Sequence, residues 1–182
     1  MKLDLSSFVC FLVFFKVEAQ HSQSYKNYVD AFILKDSIMI NDTFSNGFPK
    51  EAGKKLIYVY DDYVYEFFAG SFVQYDKKGR VITDSQFDDY GNYLSYKYFD
   101  TEGNLLESID VKSIDTNAKT VDEFMANSFK ETKVLATKKV YRYSYKRCEY
   151  YLRKVGMIEN FKKVGHWKFY DEEGMLEKEK SF

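Results

Sequence analysis

Proline occurs once in the 182 residues, tryptophan once, and cysteine and histidine twice each. Scarce proline leaves almost every backbone N–H free to pair, which suits strands. Of the cysteines, Cys10 lies in an apolar N-terminal stretch and Cys148 stands alone. That excludes an intramolecular disulfide framework and any cysteine-based zinc centre in the remaining chain. The two histidines, His21 and His166, have no metal-ligand spacing, and a catalytic triad needs an oriented base. His21 is placed in a free N-terminal segment and His166 on a solvent-facing strand position. Charge of one sign is also missing: 27 basic side chains stand against 28 acidic ones, for a net charge of -1. Nucleic-acid or membrane binding therefore finds no support in net charge.

One long apolar run exists. Leu5 to Phe15 spans 11 residues, follows Lys2 and precedes Val17-Glu18-Ala19, whose small residues suit a cleavage site. Residues 1–19 read as a secretory signal, too short for a membrane anchor. Cleavage before Gln20 makes the expected destination periplasmic or extracellular. Bulky Phe8 and Val9 ahead of Cys10 argue against a lipoprotein signal. Residues 20–182 then form one domain.

What is abundant is aromatic: 17 Tyr and 17 Phe. They recur in a pattern. Tyr75-Asp76-Lys77-Lys78-Gly79, Phe87-Asp88-Asp89-Tyr90-Gly91, Phe99-Asp100-Thr101-Glu102-Gly103 and Tyr170-Asp171-Glu172-Glu173-Gly174 share the order aromatic, Asp, two variable residues, Gly. Asp accepts a backbone hydrogen bond from two residues on, and Gly adopts positive φ at little cost. Each unit thus predicts a tight hairpin turn, with Asp76, Asp88, Asp100, Asp171 and Gly79, Gly91, Gly103, Gly174 as its structural residues. Between turns, residues 92–99 and 104–111 alternate in period two, as strands do.

Two units extend further back. Gly70-Ser71-Phe72-Val73-Gln74-Tyr75-Asp76-Lys77-Lys78-Gly79 aligns without gaps with Gly165-His166-Trp167-Lys168-Phe169-Tyr170-Asp171-Glu172-Glu173-Gly174. The shared form G-x-[F/W]-x-x-Y-D-x-x-G resembles the MORN-type repeat, in the variant found in bacterial envelope proteins and in antitoxin-like proteins. The resemblance covers residues 70–106 and 163–182. It implies a mainly β fold, an antiparallel meander of short hairpins, with one helix in an insertion.

Other segments fill in the plan. Ile57–Tyr60 and Tyr63–Tyr65 flank Asp61-Asp62 as a hairpin, and Phe32–Ile40, broken at Lys35-Asp36-Ser37, reads as another. Asn46-Gly47, Pro49 and Gly53 mark residues 41–55 as loop. A helical insertion is expected over residues 112–137. Within it, Thr120-Val121-Asp122-Glu123 has the capping-box form, and Val121, Phe124, Met125 and Phe129 share a face, predicting a helix over 121–131. Lys130 and Lys133 near its end suit the helix dipole. Val140–Lys146 alternates as a strand, with Tyr141, Tyr143 and Tyr145 opposite Arg142, Ser144 and Lys146.

Chemistry is sparse. Asp100-Thr101-Glu102-Gly103 shares part of a calcium-loop pattern, but Tyr98 occupies a ligand position and no acid closes the loop. Adjacent acids in turns are not the separated pair glycoside hydrolysis requires. Cys148 beside Arg147 reads as an inert strand residue rather than an activated thiol. An outer-membrane barrel is set aside because Lys180 and Lys178 fall at alternate positions before Phe182. No cofactor, metal or nucleic-acid partner is expected, and the chain reads as a non-enzyme. From Lys138 to Lys154, seven basic residues and five tyrosines interleave with the single acid Glu149. Tyr141, Arg142, Tyr143, Tyr145 and Lys146, with Trp167, form the candidate binding surface. The expected function is an exported binding or scaffold protein for a protein or envelope polymer. The MORN resemblance implies, as an alternative, an antitoxin-like protein that neutralises a cognate toxin.

Overall fold

Chain order and spatial order coincide in the sheet. In the computed structural model, which describes residues 20–182 except for the side chains of Gln20 and residues 127–130, ten strands lie side by side in sequence. They are β2 (Ile33–Thr43), β3 (Pro49–Tyr60), β4 (Tyr63–Tyr75), β5 (Val81–Phe87), β6 (Tyr93–Phe99), β7 (Leu105–Thr116), β8 (Thr132–Ser144), β9 (Glu149–Glu159), β10 (Lys162–Tyr170) and β11 (Leu176–Ser181). Each is antiparallel to the next, so the fold is a mainly β meander. A short β1 (Gln20–His21) adds in parallel to β7. The signal expected over residues 1–19, with Cys10, lies outside the described residues, as do the side chains of Phe129 and Lys130.

Local chemistry makes the turns. Oδ1 of Asp76 accepts from the amides of Lys78 and Arg80 at 2.8 and 3.0 Å. Asp88, Asp100 and Asp171 repeat the same pair of bonds to the residues two and four further on. Gly79, Gly91, Gly103 and Gly174 take φ of +78°, +84°, +86° and +81°. A different device closes β9–β10. Asn160 and Phe161 both have positive φ, +46° and +67°, as a two-residue hairpin of matching twist requires.

Residues 41–55, read from sequence as loop, belong to β2 and β3 on either side of a short turn. Pro49 is tolerated because it begins its strand. Gly53 sits inside β3 because a ring occupies the place of its side chain: a Cβ there would lie 2.4 Å from Phe72. Residues 33–40 are likewise one strand rather than a hairpin, with Lys35 bulged between the pairs Leu34↔Tyr58 and Asp36↔Ile57. The alternation was hidden because β2 is an edge strand, exposed along nearly its whole length.

The insertion is shorter than the expected 112–137. Strand β7 runs to Thr116 and β8 starts at Thr132, leaving α2 (Val121–Glu131) as the helical part of their connection. Thr120 caps it by accepting from the Glu123 amide, while Glu123 reaches back to the Lys119 amide. Strand β8 ends at Ser144, so Tyr145, Lys146 and Cys148 lie in the β8–β9 turn. Cys148 is exposed there at φ +54° and is no strand residue.

A second helix, α1 (Gln23–Val29), arises where sequence reading placed a free segment. Ser22 caps it by accepting from the Tyr25 amide at 3.1 Å, and Tyr25 and Val29, four apart, bury one stripe. His21 is not free: its Nε2 lies 2.8 Å from Asp88, and its ring stacks on Tyr25 at 5.3 Å. Helix α1 packs on β7 and α2 on β8, and Ile109, Val111, Ala136, Ile158 and Trp167 of β7–β10 form the main core with Tyr25 and Phe124. Phe32 and Tyr90 join this core to a smaller one around Leu56, Tyr58 and Ala69.

Candidate functional site

The helices do not close completely on the sheet. Between α1, α2 and strands β4 and β6–β9 lies a partly open cavity of about 700 Å³. This volume falls within the roughly 300–1,000 Å³ typical of small-ligand sites. Its walls are mostly aliphatic and aromatic, with Ile109, Ala136 and Ile158 on the sheet side and Phe124 and Met125 from α2.

Tyr25, Tyr65, Tyr90, Tyr93 and Tyr96 also line it, and burial pushes the phenols of Tyr25, Tyr65, Tyr90 and Tyr96 above their ordinary range. Burial of this kind marks a poorly solvated interior. Several polar groups of the lining are already engaged. Asn92 donates to Tyr25 Oη at 2.5 Å and to Asp88 at 2.8 Å. Glu107 meets Lys138 at 2.6 Å. Among the described residues, no buried side-chain nitrogen or oxygen lacks a partner.

Phe161 stands at the rim, 78% exposed. A bulky residue at φ +67° is strained, and the strand beside it holds it in place. Asn160 donates to the Thr132 carbonyl and accepts from the Val134 amide at 2.9 and 2.8 Å, and its own amide bonds back to Val134.

The residues singled out from sequence as a binding surface do not converge. Tyr141 and Tyr143 alternate with Arg142, so β8 sends them to opposite faces. Tyr145, 88% exposed, and Lys146 lie in the β8–β9 turn, where Lys146 meets Glu173 at 2.7 Å. Trp167 is fully buried and is no surface residue. Its indole lies over Gly156, the only kind of residue that leaves room for it, and its Nε1 donates to the Met157 carbonyl at 2.9 Å.

The basic run from Lys138 to Lys154 is likewise divided. Lys138, Arg147 and Arg153 each pair with a carboxylate, Glu107, Glu149 and Glu177 respectively. Lys154 instead joins cations that the run does not contain. Lys163 Nζ sits 4.8 Å from the Trp167 ring centre and 4.4 Å from that of Phe182. Lys178 covers Phe169 at 5.4 Å, and Lys180 covers Phe182 at 4.8 Å. Lys178 and Lys180, two apart in a short strand, were a signal available in the sequence. Lys163 was not, because only the β9–β10 register brings it in.

Among the described residues, no helix is long and apolar enough to cross a membrane, and no group of three or more His, Cys, Asp or Glu converges. No family model, curated protein or solved structure matches this chain.

Proposed function

We propose that the protein is an exported, non-enzymatic binding protein that holds an apolar ligand in the cavity between its helices and its sheet. The observation that carries this is the cavity itself: about 700 Å³, walled by aliphatic and aromatic groups, with Asn92, Glu107 and Lys138 of its lining already paired. The carboxylate in the lining, Glu107, is held by Lys138, which suits retention of a ligand rather than turnover. Export is proposed from residues 1–19. A MORN-type relationship is proposed for the sheet alone, from the repeated turn and the G-x-[F/W] unit.

A neutral fluorophore tests the binding reading. N-phenyl-1-naphthylamine brightens when it leaves water, so titration should give a saturable signal with the wild-type protein. Ala136→Phe places a ring inside the cavity. Because Ala136 is itself buried in the cavity wall, the ring should cost the usual ~1–3 kcal/mol of overpacking and leave the protein folded in a urea titration, while the fluorophore signal is lost. Equal binding by wild type and variant, or none by either, refutes the proposal.

A further inference from the structure

We infer that the cavity's ligand is a single-chain anionic amphiphile, with its tail among the aromatic side chains and its head on the lysines of β9–β11. The inference rests on the cavity being a ligand site.

Sheet register supplies the geometry, since directly opposed residues share a face. One row runs Ile109↔Lys138↔Gly156 and another Val111↔Ala136↔Ile158↔Lys163. Ile109, Lys138, Ala136 and Ile158 line the cavity. The next row runs Glu107↔Val140↔Lys154↔Phe169↔Lys178. Lys154, Lys163 and Lys178 therefore stand on the cavity's own face, at its β9–β11 side. Lys163 and Lys178 both lie near the Phe169 ring, at 5.8 and 5.4 Å from its centre.

Negative charge is scarce on this side. Glu107, the carboxylate that acts on Lys154, is already paired with Lys138. Glu179 falls on the opposite face beside Lys168, and Glu177 is bound to Arg153. Burial, followed by the charges of Lys163, Lys138 and Arg142, pushes the Lys154 ammonium below its ordinary range. An anion placed among these groups relieves both their repulsion and their lost hydration. The adjoining apolar volume takes one chain, and the head reaches the cations that the register places next to the lining residues Lys138 and Ile158.

Displacement of bound N-phenyl-1-naphthylamine tests this with three ligands of equal chain length: laurate, lauryl phosphate and lauryl alcohol. An anionic ligand should compete at least about tenfold better than the alcohol, as charge-assisted contacts are the strong ones. Its advantage should shrink with salt. Replacing laurate by myristate should tighten binding by roughly fifteenfold, about fourfold per added methylene. The paired substitutions Lys154→Gln and Lys178→Gln should erase the anionic advantage while lauryl alcohol competes as before, and Lys154→Arg with Lys178→Arg should retain it. The ranking of laurate against lauryl phosphate identifies a carboxylate or a phosphate head. If the alcohol matches both anions on the wild-type protein, the head-group inference is overturned and the cavity reading stands. If the fluorophore itself does not bind, both fall.

Discussion

Gly156→Ala is expected to be among the most damaging single-methyl additions in the described chain. A Cβ at this position would lie 2.4 Å from two indole atoms of Trp167 and 2.6 Å from a third. Real Cβ contacts do not come so close, so the indole must move. Trp167 is fully buried, and its Nε1 hydrogen bond to the Met157 carbonyl ties it to the strand that carries the new methyl. Overpacking of this kind costs about 1–3 kcal/mol, and the strained hydrogen bond adds about 0.5–1.5 kcal/mol. A loss near 3 kcal/mol follows. With a urea dependence of about 2 kcal/mol per molar, the unfolding midpoint should fall by roughly 1.5 M. The assay comes with the protein, because Trp167 is its only tryptophan and its fluorescence reports the packed site. Gly103→Ala is the control. Gly103 has φ +86°, and a methyl added there would meet nothing within 4 Å, so only left-handed strain remains, about 1–2 kcal/mol. Combining Gly156→Ala with Trp167→Leu, with the unfolding of all four proteins of the cycle followed by far-UV circular dichroism, should recover part of the loss, relative to the sum of the two single changes. A Gly156→Ala midpoint no lower than that of Gly103→Ala, or full additivity with Trp167→Leu, would refute the reasoning.

The strained rim gives a second prediction: Phe161→Gly removes the cost of φ +67° and should stabilise the protein by about 1 kcal/mol, yet weaken fluorophore binding because it strips an aromatic from the cavity mouth. A loss of stability would count against the strain argument, and unchanged binding against the rim. Acid provides a third. Hydrogen bonds from the Arg80 guanidinium and its amide hold the Asp76 carboxyl at about 2, below its ordinary 3.8. A depressed folded value means stability that is present above the unfolded pKa and lost as pH falls through the folded one. The urea midpoint should therefore decline between pH 4 and pH 2, and less steeply in Asp76→Asn, whose amide still serves the turn. Parallel declines in the two proteins would show that Asp76 contributes nothing to acid sensitivity.

Sequence alone determined the units of this fold. An Asp side chain reaching its own backbone two residues on, and a glycine free to take positive φ, are local facts. The turns at Asp76–Gly79, Asp88–Gly91, Asp100–Gly103 and Asp171–Gly174 could therefore be read from residue order. The capping box at Thr120–Glu123 was legible for the same reason. Edge strand β2 was not, because solvent on both sides removes the alternation that betrays a half-buried strand. Helix α1 was missed although Ser22, Tyr25 and Val29 carried its spacing, since a chain start looks free until β7 and Asp88 hold it. What tertiary structure decided is which groups meet. The run Lys138–Lys154 is contiguous in sequence but parts onto two faces and a turn, because successive strand residues point apart. Lys154, Lys163 and Lys178 come together only through the pairing of three strands. Trp167 looks like a surface aromatic until register places it over Gly156, and the cavity exists only because two helices, remote in sequence, lie across one sheet without filling the space beneath them.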